Sequence, residues 1–419
     1  MNLSTDAVVP LATLEPDAPL DDLGLLDRVV GDARVVAIGE SEHYTREFLA
    51  LRHRLTRYLV ERHGFGAVAM ETGFVEGWQV DGWVRGGEGE LGPVMANGLT
   101  SLTGLWTEVR DLLGWMREQS VRFYGVDLGG SNVSLLPGLA AVTAYLAQAD
   151  PEFRVDPGIH ETAAAFSAAS PFAIPEAMAG YPGLSAERRD GLTAGLADLR
   201  ARITSRRLDY VRRTGADAYE RALHTMHLTA AMDAQFRDLA RGDQFAAHRE
   251  TAIADTVAWI AGREDRIVLL AHNGHVQRCP CTMPGVAPAS MGMYLADRLG
   301  ADYVVIGTTA GTGVTLADGP EFFAGTLFAE LGPPEPGSLD ALMATSHDGP
   351  FAVDLRRLAP DDATLVRAAS RQRFGRFYSE QDPLDAFDAV VHVPHLTAAE
   401  PDAAAIAESP AGIQKAFAG

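Results

Sequence analysis

Five short apolar runs, four of them closed by an ionisable side chain, constrain this chain more than any other feature. Residues 34–38 (RVVAI) run into Gly39-Glu40, 67–70 (AVAM) into Glu71, and 121–126 (VRFYGV) into Asp127. Residues 266–270 (RIVLL) end near His272, and 303–306 (YVVI) end at Gly307. Each run is apolar enough to be buried on both faces, as strands of a parallel sheet are. Between the first two, Phe48, Leu51, Leu55 and Leu59 recur at helical spacing, and His63-Gly64 reads as the helix end. The unit has the length of a right-handed strand–helix–strand crossover. A second unit joins 266–270 to 303–306 through a helix near 290–299. The expected class is α/β, a mainly parallel sheet flanked by helices.

Residues 137–262 read differently. Leu192, Leu196, Leu199 and Ile203, and then Leu228, Met232, Phe236 and Leu239, repeat at helical spacing with few β-branched runs, which predicts a mostly helical insertion between strands. The expected organisation is an arm over 1–20, a first part of the core over 21–136, the insertion over 137–262, a second part of the core over 263–400 and a tail over 401–419. Residues 332–338 (GPPEPGS) read as a loop, 388–393 as the last strand, and the Ala-rich tail as a terminal helix.

Composition narrows the partners. The chain has 419 residues, 47% hydrophobic and 22% charged, which excludes wholesale disorder. A net charge of −21 opposes binding to phosphate backbones and anionic lipid, so no nucleic-acid or membrane partner is expected. Two cysteines, Cys279 and Cys281, fit a reducing compartment, and their single intervening residue is too short for the usual zinc or redox spacing. No apolar run approaches the ~20 residues of a membrane-spanning helix, and no basic-then-apolar leader is visible, so a cytoplasmic protein is expected.

In open parallel sheets, ligands bind beyond the carboxyl ends of the strands. Glu40, Glu71, Asp127 and His272 would all meet on that rim. Any one of them could merely cap the following turn; four together point to a site. His43, three residues after Glu40, adds an imidazole that a carboxylate can orient as a general base. His272-Asn273-Gly274-His275 is a second polar cluster, in which His275 is equally readable as a solvated loop residue. Arg52 lies on the first helix, and spacing alone does not distinguish it from Arg46, Arg54 or Arg57. Glu40, His43, Glu71 and His272 could also hold a divalent metal, which spacing leaves open. His224 and His227 read as a helical surface pair, with a metal pair as the alternative. There is no Gly-x-Ser-x-Gly elbow, no Gly-x-x-x-x-Gly-Lys and no His-Glu-x-x-His.

These residues resemble the erythromycin esterase family. Gly39-Glu40-Ser41-Glu42-His43 is similar to its Gly-Glu-x-x-His motif, followed by Glu47-Phe48 and Arg52. Ala69-Met70-Glu71 is similar to its second acidic strand end, and Ala271-His272-Asn273-Gly274-His275 to its Ala-His-Asn-x-His motif. Weaker echoes run from Trp106 and Glu108 to Phe387-Asp388, in order across nearly the whole chain. The resemblance implies a helical part covering a deep cleft, and hydrolysis of a macrolide or related polyketide ester without metal or cofactor. It implies His43 as general base, Glu40 and Glu71 orienting that histidine or water, and Arg52 and His272 binding the ester or stabilising the oxyanion. Asp127, Asn273 and His275 are expected to contact substrate. Two departures stand out. Tyr44 follows His43 where the family often has Gly, and Arg249-Glu250, Ile253-Ala254 and Thr256 replace its Arg-Asp-x-x-Met-Ala-x-Asn helix. The same residues would also serve a tailoring enzyme that cyclises, eliminates or epimerises, or a cleft that only binds a small molecule.

Overall fold

The computed structural model describes residues 2–168, 170–242, 247–282, 285–317 and 319–418. Its strands are β1 Val9–Pro10, β2 Val35–Glu40, β3 Ala67–Gly73, β4 Arg122–Asp127, β5 Ile267–His272, β6 Tyr303–Leu316, β7 Phe328–Leu331, β8 Phe351–Asp354, β9 Arg371–Phe374, β10 Phe377–Glu380 and β11 Ala389–His395. The main sheet runs β1-β8-β11-β6-β2-β5-β3-β4, with β7 paired to β6. From β11 to β4 every pairing is parallel; β1, β7 and β8 add antiparallel edges. This is the expected α/β class.

β2 sits at the centre, and all six of its residues are buried. Val36 and Ile38 join one hydrophobic cluster and Val35 and Ala37 the other, so the strand's alternation feeds both faces. The Arg46–His63 helix covers the first face with Phe48, Leu51, Leu55 and Leu59, and Gly64 closes it in the left-handed region at φ 69°. The Met291–Leu299 helix, capped by Ser290, covers the second face as the crossover from β5 to β6.

Between β4 and β5 the chain is helical. Leu192, Leu196, Leu199, Ile203, Leu228, Met232 and Phe236 centre a third cluster, separate from the sheet's two; Leu239, at the end of that stripe, is left more exposed. The His248–Ala261 helix gives Ile253, Val257 and Ile260 to the sheet, while Ala252 and Trp259 touch the third cluster. One reading needs correction here. His224 is not a surface residue: it is 8% exposed, stacked on Trp259 at 5.4 Å, and shares a hydrogen bond with Thr256 at 3.0 Å. Burial pushes its pKa down to about 3, so it stays neutral, and only His227 meets a carboxylate, Asp255 at 2.9 Å.

The tail also departs from expectation. It forms two short helices, Ala403–Ala407 and Ala411–Ala416, preceded by an extended strap. Arg46 N–H donates to the Thr397 carbonyl, Ala399 N–H to that of Tyr44, and Thr107 N–H to that of Glu400, at 3.0, 3.0 and 2.8 Å. The strap thereby ties the loop after β2 to the start of the Thr107–Gln119 helix. Asp402 anchors it, accepting from Ala405 N–H at 2.8 Å and pairing with Arg110. Asp402→Ala should cost about 2 kcal/mol, from the lost cap and the unpaired arginine. Equilibrium urea unfolding checks this, and an unchanged midpoint would show the strap to be passive.

Candidate active site

The parallel register brings Glu40 opposite His272 on the last rung of β2 and β5. Glu71 and Asp127 lie at the same ends of β3 and β4. The rim read from sequence is therefore one physical place. Its closeness depends on Gly39. A Cβ there would lie 2.0 Å from Asn273 Oδ1, so any side chain would displace Asn273.

Glu40 is the shared partner. Its Oε1 accepts from His43 Nδ1 at 2.8 Å, and its Oε2 pairs with Arg52. Burial alone would raise the carboxyl's pKa; Arg52 and His43 outweigh it and hold the pKa down to about 2. An ionised carboxylate only accepts, so His43 Nδ1 carries a proton, and in the neutral ring Nε2 holds the lone pair. Nε2 has no hydrogen-bond partner among the described residues. The His43 side chain is 32% exposed. Burial lowers its pKa, but the hydrogen bond and charge of Glu40 and the charge of Glu71 more than compensate, and the net shift is upward.

The four arginines of the first helix are now told apart. Arg54 is buried on Asp22 at 2.6 Å and on the Pro19 carbonyl, Arg57 meets Glu61 at 3.1 Å and the Pro16 carbonyl, and Arg46 reaches only Glu15 at 3.7 Å. Arg52 alone points its charge at Glu40.

A second network carries residues that the sequence reading did not place in the site. Arg249 donates from Nε and Nη2 to Asp127, at 3.0 and 2.6 Å, and from Nη2 to Glu71 at 3.0 Å. Glu71 also meets His275 Nε2 at 3.2 Å and accepts the His272 backbone N–H at 2.8 Å. His275 Nδ1 lies 2.8 Å from Glu250. Burial works against the charged forms. Even so, Glu250 and Glu71 push His275 up to about 10, and His275 and Arg249 hold Glu71 well below the usual range. At neutral pH these two cations face three carboxylates. The only sequence signal for Arg249 and Glu250 was their match to the start of a family helix.

Two residues expected to contact substrate are engaged within the protein, and His272 takes a defined tautomer. Asn273 is fully buried and bridges strands, donating to the Thr308 carbonyl at 2.7 Å and accepting Thr308 N–H at 3.2 Å, so it does not reach substrate. Asp127 is spent on Arg249, Asn132 Nδ2 at 3.1 Å and Leu128 N–H at 2.7 Å. His272 accepts from Gly274 N–H at Nδ1, 3.0 Å, and therefore donates from Nε2 to the Ser41 carbonyl at 3.2 Å. Burial and the neighbouring His43 push its pKa down to about 3, so it is a neutral donor and not a base.

Tyr44 has φ 58°, a left-handed backbone that costs a bulky residue about 1–2 kcal/mol. A glycine would adopt it without that cost. Here the tyrosine ring stacks between His43, 5.4 Å away, and Trp106, 5.5 Å away. His43 itself stands between two cavities. A cleft of about 410 Å³ is lined by His43, His272, His275, Arg249, Phe374 and Phe377, among others. A smaller chamber of about 80 Å³ lies on the side of Glu40, Arg52, Glu71 and Glu108. A groove of about 710 Å³ between the Ala186–Ser205 and Ala216–Ala240 helices is larger but contains none of the rim residues. Among the described residues no three His, Cys, Asp or Glu side chains converge as metal ligands.

A family model described as erythromycin esterase matches residues 60–396. The chain belongs to the erythromycin esterase family. It is an erythromycin esterase-like ester hydrolase. Erythromycin esterase type II of Escherichia coli is 27% identical over 422 residues, covering 94% of this chain and 97% of that protein. The fold matches a crystal structure of a Bacillus cereus protein at TM-score 0.79 and 20% identity, covering 95% of this chain and 97% of that one. It matches an erythromycin esterase mutant, EreC, in its open conformation at TM-score 0.76 and 21% identity, covering 93% and 98%. The family match begins after Glu40, His43 and Arg52. No helix among the described residues is long and apolar enough to cross a membrane.

Tyr44→Gly should relieve the backbone strain yet lose more than it gains, since removing a buried aromatic ring costs about 3–5 kcal/mol. Turnover should fall as the His43 ring loosens, with Tyr44→Phe close to wild type. Equal activity of all three proteins would remove the ring stack from the argument.

Proposed function

We propose that this hydrolase opens an ester or lactone of a macrolide or related polyketide, with His43 activating water. The observation that carries the reading is the Glu40–His43 pair: Nδ1 is held by an ionised carboxylate, and Nε2 is left open at the cleft wall. A water on Nε2 gives up a proton and its oxygen adds to the ester carbonyl, a step in which general-base help is worth about 100–10,000-fold. In this scheme His272 receives the developing oxyanion. The Ser41 carbonyl that holds its Nε2–H also accepts Gly375 N–H at 3.1 Å, so the imidazole can release it without leaving a buried carbonyl unpaired. Such a donor is worth about 100–1,000-fold.

Arg52 is a positioning residue in this scheme: it fixes Glu40, and Glu40 fixes the His43 tautomer. Arg249 holds Glu71 and Asp127 in the same way, and keeps His275 between two carboxylates. The E. coli relative is named for erythromycin, and the cleft, at about 410 Å³ with Phe374, Phe377 and Leu316 on its wall, lies in the range of sites that bury drug-sized ligands, roughly 300–1,000 Å³.

Intact-mass analysis of macrolides and linear polyketide esters incubated with the protein tests the reading. A gain of one water, unaffected by chelator, is expected. An isomeric or dehydrated product would replace hydrolysis with a tailoring reaction. His43→Gln, folded, should lose about 100–10,000-fold in kcat; full activity would sink the assignment of the base.

The pH profile gives a second check. A base must be unprotonated, so kcat/KM should fall on the acid side with a midpoint above the ordinary imidazole value of 6.5, because the His43 pKa is raised. Glu40→Gln removes the main cause of that rise. It should move the acid limb to lower pH while reducing the maximum rate. A limb that stays put would assign it to another group.

A further inference from the structure

Glu42 lies two residues after Glu40 and one before His43, yet it belongs to neither network. It is 1% exposed, and it is one of the residues that line the same cleft as His43 and His272. Thr315 hydroxyl donates to its Oε2, while Oε1 is buried without any hydrogen-bond partner. A carboxylate in such a place would be costly unless paired with a cation. Among the described residues no arginine or lysine pairs with it. Arg373, whose charge acts on Glu42, gives its Nη atoms to the carbonyls of Gly332, Ala310 and Gly311, at 2.8, 2.9 and 2.7 Å, and none of its nitrogens to Glu42. Asp340, whose carboxyl accepts the backbone N–H of Arg373 and of Ala310, adds a like charge nearby. His43 also acts on Glu42, and Arg376 lines the same cleft. Burial dominates, and with Asp340 it outweighs Thr315, Arg373 and His43, pushing the Glu42 pKa up to about 8. At neutral pH the group is a carboxylic acid.

Ester hydrolysis needs a proton on each side of the bond. The water loses one to His43, and the departing alcohol oxygen must gain one if the alcohol is a poor leaving group. We propose that Glu42 is the general acid for that second transfer, giving its carboxyl proton to the alcohol oxygen of the substrate. As the tetrahedral intermediate collapses, the carbon–oxygen bond breaks and its electron pair passes to the alkoxide oxygen, which takes the Glu42 proton. The resulting Glu42 carboxylate is reprotonated through water by the proton that His43 acquired. The products are a carboxylic acid and an alcohol, and both side chains are restored. The inference rests on the hydrolytic reading above. It adds a division of labour between two consecutive residues that line one cleft, Glu40 keeping the base ionisable and burial keeping the acid protonated.

Leaving-group dependence separates this role from a structural one. The probes are two esters of one acyl group, an alkyl ester whose alcohol must be protonated and a p-nitrophenyl ester whose phenolate departs without help. Glu42→Gln keeps the shape of the side chain but cannot transfer a proton. It should lower kcat on the alkyl ester far more than on the aryl ester, raising the aryl-to-alkyl ratio by about 100-fold or more. Glu42→Asp should bring the ratio part of the way back. In the wild type, kcat for the alkyl ester should fall as pH rises past about 8, and this alkaline limb should vanish in Glu42→Gln. A ratio equal to that of the wild type, whether the two rates drop together or not at all, would overturn the proposal. His43→Gln should depress both esters, so loss of the acid and loss of the base are told apart. A wild type that hydrolyses neither ester nor any macrolide would overturn the hydrolytic reading itself.

Discussion

Glu40 and His272 face each other on the last rung of a parallel ladder, and the site is built outward from that rung. Because β2 lies between β5 and β6, three strand ends converge within the reach of single side chains. Asn273 locks β5 to β6 through the backbone of Thr308, and Gly39 leaves the space it needs. Parallel strands make this possible: they deliver their carboxyl ends, and hence the groups that follow them, to one edge. Substituting Gly39 would disturb the site without touching a charged residue.

The two ionic networks on this rim both raise their histidine's pKa but leave its nitrogens differently occupied. Glu40 raises the basicity of His43 but leaves one nitrogen open. Glu71 and Glu250 bracket His275 so closely that it stays cationic, with no nitrogen to spare. His272 has no carboxylate on its ring and stays neutral. Three histidines within one cleft thus titrate apart, His275 held cationic, His272 held neutral and His43 shifted only upward, set by whether a carboxylate touches the ring and whether both nitrogens are occupied.

Much of this was legible in the sequence, for identifiable reasons. Buried parallel strands write continuous apolar runs, and so β2, β3, β4, β5, β6 and β11 could be read, with the ionisable residues that close β2, β3, β4 and β5 placing the rim. β7, β8 and the β9–β10 hairpin are short antiparallel pieces with no comparable run, and they were not read. Arg52 could be singled out only by family resemblance, because helical spacing gives four arginines equal standing and tertiary partners decide among them. Arg249 lies 122 residues from Asp127 and 178 from Glu71, a separation that no local pattern encodes. Asn273 shows the converse limit. Its position beside a histidine suggests chemistry, whereas its neighbours make it a cross-brace.

The strap gives the fold an order in time. Thr397, which donates to Glu47 through both its N–H and its hydroxyl, is 350 residues away from it in sequence. The loop that bears His43 is among the first parts of the sheet to be synthesised, and its clamp among the last. A chain emerging from the ribosome would carry every group of the Glu40–His43–Arg52 set long before anything held the loop against Trp106. Catalytic competence should therefore arrive abruptly, after β11 and the strap have been made, and a ribosome stalled short of residue 397 would carry an inert nascent chain.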